Sequence, residues 1–222
     1  MIFLSPSSLG TFENCPRCFW KEKNEKSPRP RGIFPSLPGG MDAKLKTYFD
    51  GFRVNGKFPL ALNDASTDGF HLYHDVEQLN KWRNWRSGLS VTTPKWKLGG
   101  AIDDLLFNPT AGVYAPLDYK TKGSPANQED SEKYYQRQLD LYSLMFDGNK
   151  FESAGFGILS YWWPLRVGDG ALIDFETRVF RISTDINRAK DLCERAAACL
   201  EGKVPAPSQE CEYCKFVEAR RS

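Results

Sequence analysis

The sequence predicts a mixed α/β fold, in which a central β-sheet is flanked by helices and both chain ends meet at one cysteine centre. Three observations carry this expectation. Strand-like segments occupy the middle of the chain with helical spacing on either side, and two more strands follow a long helix. C-x-x-C pairs stand near both termini, at Cys15–Cys18 and Cys211–Cys214. The length of 222 residues suits one sizeable domain and leaves a second little room.

The elements follow in order. Ser5-Pro6-Ser7-Ser8-Leu9 supplies a hydroxyl cap and a first-turn proline, so a short helix starts there and runs into Cys15. Residues 24–40, rich in Pro, Gly, Lys and Arg, read as irregular. Gly39-Gly40 then opens a helix over Met41–Phe52, with Met41, Leu45, Tyr48, Phe49 and Phe52 at helical spacings. From Asp75 to Arg86, Val76, Leu79, Trp82 and Trp85 recur every three residues, which again suggests a helix. Lys95–Leu98, Ala101–Phe107 and Val113–Thr121 read as strands, the last two joined by a turn at residues 108–112. Gln128–Phe146 is a long helix. Ala154–Trp163 and Leu172–Ile182 are two further strands around the glycine-rich turn Gly168-Asp169-Gly170. A final helix spans Asp185–Glu201, and a tail carries Cys211 and Cys214.

Composition bounds the function. Apolar residues make up 41% and charged residues 26%, an ordinary globular balance. The net charge is +2, from 30 basic and 28 acidic residues, so a polyanion-binding surface has to be local. Met1–Pro6 lacks the charged start and apolar length of a signal peptide, and no run approaches the ~18 apolar residues of a membrane span. A soluble, cytoplasmic protein without a membrane partner is expected, with its thiols kept reduced.

The chemistry concentrates at Asp103 and at Asp118-Tyr119-Lys120. Side chains at i and i+2 share a strand face, so Asp118 and Lys120 point the same way, and a hairpin can bring Asp103 beside Asp118. Two carboxylates pressed together repel, and a hard divalent cation relieves this by taking oxygens from both. A lysine beside that ion can orient a water or stabilise charge on a scissile phosphate. Asp104 should face away. A surface hairpin with two solvated acids is the bland alternative; it is weakened because both acids emerge from apolar segments, Ala101-Ile102 and Ala115-Pro116-Leu117.

Each C-x-x-C spacing lets two thiolates meet one ion, and the four cysteines together can hold Zn²⁺ or an iron–sulfur cluster. Cys193 and Cys199 read as small core residues. Lys81-Trp82-Arg83-Asn84-Trp85-Arg86 interleaves basic and aromatic residues, as a single-strand-binding surface does, although Trp82 and Trp85 equally continue an apolar stripe. His71 and His74 read as surface or cap residues. There is no phosphate-cradling loop of the ATPase kind.

Gly100-Ala101-Ile102-Asp103, Asp118-Tyr119-Lys120-Thr121 and Gln138-Leu139-Asp140-Leu141-Tyr142 resemble, in this order, three signatures of the RecB-like branch of the PD-(D/E)XK nuclease superfamily. The opening Ser7-Ser8-Leu9, Phe12, Cys15-Pro16 and Phe19 is similar to the N-terminal signature of the same branch. The resemblance implies a restriction-endonuclease-like core over 41–202, within one nuclease domain 1–222 whose segments 1–40 and 203–222 form a cysteine clamp. It implies metal-dependent hydrolysis of DNA, exonucleolytic on single strands or ends, beside a helicase or another recombination or CRISPR subunit. Asp103 and Asp118 would bind Mg²⁺ or Mn²⁺, Lys120 would act on the water or the transition state, and Gln138 and Tyr142 would border the site and touch the DNA backbone. Asp42 stands where the family often places a His or Glu ligand. It is equally an acid favoured at a helix start. Iron–sulfur members of the branch imply a [4Fe-4S] cluster on Cys15, Cys18, Cys211 and Cys214, but they use one N-terminal and three C-terminal cysteines rather than two and two, so zinc stays open. The rival readings are a non-cleaving nucleic-acid-binding module and a partner-docking protein organised by the cysteines.

Overall fold

The computed structural model describes residues 1–30, 32 and 36–220, so part of the segment expected to be irregular, 24–40, lies outside the described residues. Helix α1 (Pro6–Asn14) starts as expected: the Ser5 hydroxyl accepts from the Ser8 N–H at 3.2 Å, and Ser8 answers in a reciprocal capping box. A second helix, α2 (Pro16–Asn24), follows directly, because Cys15 leaves the helical region and Pro16 can restart it. The third helix, α3 (Ser36–Val54), begins earlier than Met41, with Pro38 tolerated near its start. Helix α4 (Val76–Arg83) is capped by Asp75, α5 (Gln128–Gly148) by Asn127 and α6 (Ile186–Glu201) by Asp185. A last helix, α7 (Glu212–Ala219), grows out of the tail.

The strands form two sheets. The strand expected near 95–98 is β4 (Trp96–Gly100), and it pairs with β1 (Ile2–Leu4) and β3 (Leu89–Thr92) in a small separate sheet. The larger sheet has the order β2 (His71–Leu72), β5 (Asp104–Asn108), β6 (Val113–Thr121), β7 (Phe156–Val167), β8 (Ile173–Ser183). Its pairs are antiparallel except β6 with β7, where α5 makes the crossover that parallel strands require. Residues 101–103 leave the extended pairing between the two sheets, so β5 starts one residue after Asp103.

Alternation along the large sheet sends its side chains to two cores. Leu105, Leu159, Tyr161 and Ile182 pack with Leu139, Tyr142 and Phe146 of α5 and with Leu192 and Ala196 of α6. On the other face Leu106, Ala115, Leu117 and Ile158 pack with Leu45 and Phe49 of α3. The sheet is thus helix-covered on both sides. Among the described residues no helix is long and apolar enough to cross a membrane.

Candidate active site

β6 carries the acid and the lysine. Leu117 and Tyr119 belong to the cluster facing α3, so Asp118 and Lys120 turn to the α5 side. The β5–β6 register ends at Asp104 opposite Leu117; one step further, Asp103 comes beside Asp118. The Tyr119 N–H donates to Asp103 Oδ2 at 3.3 Å. Lys120 Nζ forms an ion pair with Asp118 Oδ2, donates to Gln138 Oε1 at 3.4 Å and lies 4.5 Å from the centroid of the Tyr135 ring. From α5, Gln138 Nε2 donates to Asp118 Oδ1 at 2.9 Å and to the Tyr142 hydroxyl oxygen at 2.7 Å. One amide therefore touches the acid, the lysine and the tyrosine.

The electrostatics are those of a site made for added positive charge. Asp118 is 1% exposed, and its Oδ2, although against Lys120, is in no hydrogen-bonding geometry with any donor. Burial pushes its carboxyl up to about 7; Asp103 adds to the rise and Lys120 opposes it. Burial works against the charge of Lys120, yet Asp118 and Asp103 outweigh it and raise its pKa, so this group stays an ammonium. Burial, Asp118 and Asp103 together hold the Tyr142 phenol well above its ordinary range, hence neutral. A buried carboxylate whose charge burial disfavours, next to a second acid, fits a hard divalent cation.

Asp42 is placed less directly. Its Oδ2 meets Lys46 Nζ at 2.8 Å, and the same ammonium lies 3.1 Å from Asp103 Oδ1. Lys46 thus fills the space between the two acids. Among the described residues, the only group of three or more His, Cys, Asp or Glu ligands within 4.8 Å of one another is the cysteine one, so Asp42, Asp103 and Asp118 do not converge as a tight trio. Lys46 and Tyr135 were not anticipated from the sequence. Lys46 had a signal, lying one helical turn after Asp42.

Asp104 faces away, as its place in the alternation requires, and is fully buried. Arg53 Nη2 reaches its Oδ2 at 2.6 Å and Arg83 Nη2 at 3.2 Å, while the Tyr119 hydroxyl donates to the same oxygen. Asp50 pairs with both arginines, and Arg83 Nε donates to the Asp103 carbonyl at 2.8 Å. This network fixes the backbone that presents Asp103.

Far from this site, α1, α2 and the tail bring Cys15, Cys18, Cys211 and Cys214 together. Sγ–Sγ distances are 3.6 Å for Cys18–Cys211, 3.7 Å for Cys18–Cys214 and 3.9 Å for Cys15–Cys214. Four sulfurs on one tetrahedral Zn²⁺, at ~2.3 Å from the ion, are about 3.8 Å apart. Arg29 Nη2 donates to Cys211 Sγ at 3.4 Å, offsetting thiolate charge, and its guanidinium stacks 4.7 Å from the Tyr213 ring centroid. Cys193 is buried in the core between α6 and the sheet, and Cys199 packs half-buried at its edge. His71 and His74 are exposed.

A family model described as the PD-(D/E)XK nuclease superfamily matches residues 60–219. No curated protein matches the chain. The matched span takes in Asp103, Asp118, Lys120, Gln138 and Tyr142 together with Cys211 and Cys214, and leaves out α1 to α3.

Proposed function

This chain belongs to the PD-(D/E)XK nuclease superfamily, and on that footing we propose that it is a metal-dependent deoxyribonuclease whose centre is Asp103, Asp118 and Lys120. The observation that carries the reading is the buried Asp118 carboxylate, ion-paired with Lys120 and set beside a second acid, Asp103. Asp103 and Asp118 would hold Mg²⁺ or Mn²⁺. Asp42 would become a further ligand only where the cation displaces the Lys46 ammonium between them. Bound there, the ion would polarise a phosphoryl oxygen and lower the pKa of a water. Lys120, kept charged by its two acids, places a fixed positive group where the attacked phosphate gathers negative charge. Gln138 holds Asp118 and Lys120 in register with each other, and Tyr142 supports Gln138 from below. Tyr142, 5% exposed, acts on the centre through Gln138. Exonucleolytic attack on single strands or ends is the finer form of the proposal, and it follows the RecB-like resemblance.

The test is cleavage of end-labelled single-stranded and duplex DNA with Mg²⁺ or Mn²⁺. Degradation that stops with chelator is expected, falling by about a hundredfold or more in Asp118→Asn and Lys120→Ala. If the wild-type protein with Mn²⁺ leaves both substrates intact, the non-cleaving binding module takes the place of this reading.

For the cysteine centre we propose one Zn²⁺ in place of the four-iron cluster that the resemblance implies. The four sulfurs lie within 4.8 Å of one another, three of the pairs at 3.6 to 3.9 Å, and this closeness supports it. A four-iron cluster puts each thiolate on a different iron and so spreads the sulfurs to roughly 6 Å. A colourless protein with one zinc per chain is expected. Stoichiometric iron, with absorption near roughly 400 nm, would overturn the assignment.

A further inference from the structure

The segment Lys81–Arg86 divides in the structure. Trp82 is buried against Phe146 and Phe151, whereas Trp85, just past the end of α4, is 75% exposed. Helical periodicity had put both on one apolar stripe, but α4 stops at Arg83 and Asn84 turns extended, so Trp85 swings out. No burial accounts for this ring. Phe3, on the edge strand β1, is 54% exposed; a Cβ on Gly99 would meet its ring at 3.3 Å, so the glycine lets the ring lie against β4.

Both rings line one open groove of about 730 Å³. Its lining also includes Gln138, which donates to Asp118, and Tyr142, which accepts from Gln138. Among the described residues, the groove's charged side chains are Arg86 and Arg137, and no acidic one lines it. Arg86 lies over the Trp85 ring at 5.1 Å rather than on a carboxylate. Arg137 is held at the wall by Glu13, at 2.6 Å. Ser5 and Ser7, at the start of α1, add hydroxyls and the positive end of a helix to the same wall.

We propose that this groove is the path of a single-stranded DNA segment into the active centre, with bases stacked on Trp85 and Phe3 and phosphates on Arg86 and Arg137. The inference rests on the nuclease reading for what happens to the strand at the proposed centre, but the binding it describes does not. Exposed aromatic faces take unpaired bases; in a duplex those faces are already covered by neighbouring bases. The absence of acids along the lining suits a phosphate chain, although the protein as a whole is nearly neutral. Gln138, whose amide donates to Asp118, belongs to the lining, so a strand lying in the groove passes beside the proposed centre.

Binding is read on the full-length Asp118→Asn protein in chelator, by fluorescence anisotropy of labelled oligo-dT of twelve nucleotides and of a blunt duplex. Trp85→Ala should weaken oligo-dT binding about tenfold, Trp85→Phe should keep most of it, and the duplex affinity should barely change. Arg86→Ala should lower the salt dependence of oligo-dT binding by roughly one ion. Since Trp85 and Arg86 are surface residues, loss of folding does not confound either variant. Unchanged oligo-dT affinity in Trp85→Ala, or equal losses for oligo-dT and duplex, overturns the proposal. Wild-type protein that binds oligo-dT through Trp85 yet cuts nothing would sink the nuclease reading and leave the groove standing; cleavage indifferent to Trp85→Ala would do the reverse.

Discussion

Asp103 and Asp104 are chain neighbours with opposite fates, and the difference is one of solvation. Asp104, fully buried, joins Arg53, Arg83 and Tyr119 and serves the structure. Asp104→Ala should therefore destabilise by about 3–5 kcal/mol in a urea titration, because it breaks a buried ion-pair network and leaves Arg53 and Arg83 with Asp50 as their one remaining acid. Asp103 keeps partial exposure and should tolerate Asn with little change in stability. A pair of equal midpoints would contradict this division of labour. At Asp118 the folded carboxyl is raised to about 7, so the proton is held more tightly than in the unfolded chain, and keeping the group buried costs stability that grows as pH rises from about 4 to 7. A divalent ion needs the ionised form. Mn²⁺ affinity should accordingly weaken as pH falls below about 7, and calorimetry at pH 6 and pH 8 would show it. The i, i+2 spacing of Asp118 and Lys120, and the outward turn of Asp104, were legible in the sequence because strand alternation is a two-residue rule. The ammonium of Lys46 between Asp42 and Asp103 was not, since it depends on how α3 docks against the sheet.

At the scale of elements, what the sequence disclosed was whatever repeated often enough to show a period. The long helices α5 and α6 and the strands β6 to β8 fall close to their expected bounds. The elements missed outright, β1, β2, β3, α2 and α7, are two to nine residues long. They exist because of partners: β1 lies parallel to β4, and α7 grows from the cysteine centre. The element on which the site most depends is α5, which carries Gln138 and connects β6 to β7. Its seat on β7 is at Gly157, where an added Cβ would lie 2.8 Å from Leu139 Cδ2 and 3.1 Å from Pro116 Cγ. Gly157→Ala should cost about 1–3 kcal/mol by lifting α5 from the sheet. It should also slow cleavage, because Gln138 moves with the helix one residue before Leu139. Gly112→Ala, in an open turn with φ 71°, strains only its own backbone, and should lower stability without affecting cleavage per folded molecule.

For the molecule as a whole, the cysteine centre ties Cys15 and Cys18 to Cys211 and Cys214 across almost the full length of the chain. Closing so long a loop removes entropy from the unfolded chain, and a shared ion does so without a covalent bond. The same junction is reinforced by direct contacts: Trp20 Nε1 donates to the Gly202 carbonyl at 3.0 Å, and Asn24 Nδ2 to that of Leu200 at 3.0 Å. These tie α2 to the end of α6 whether or not an ion is present. The expected behaviour of Cys211→Ser follows from weighing the two. The variant should lose its zinc and several degrees of thermal midpoint, yet keep native circular dichroism at 25 °C, because the two cores of the large sheet contain none of the four cysteines. If 1–222 is one nuclease domain, as we propose, the loaded protein should melt in a single calorimetric transition. Chelation should split off an early step from the tail that carries Cys211 and Cys214, while Leu4, Leu9, Phe12 and Phe19 keep α1 and α2 in the main core, which should melt near its former temperature. A single early transition of the whole chain on chelation would instead make the clamp part of the core, and the ion a condition for folding at all.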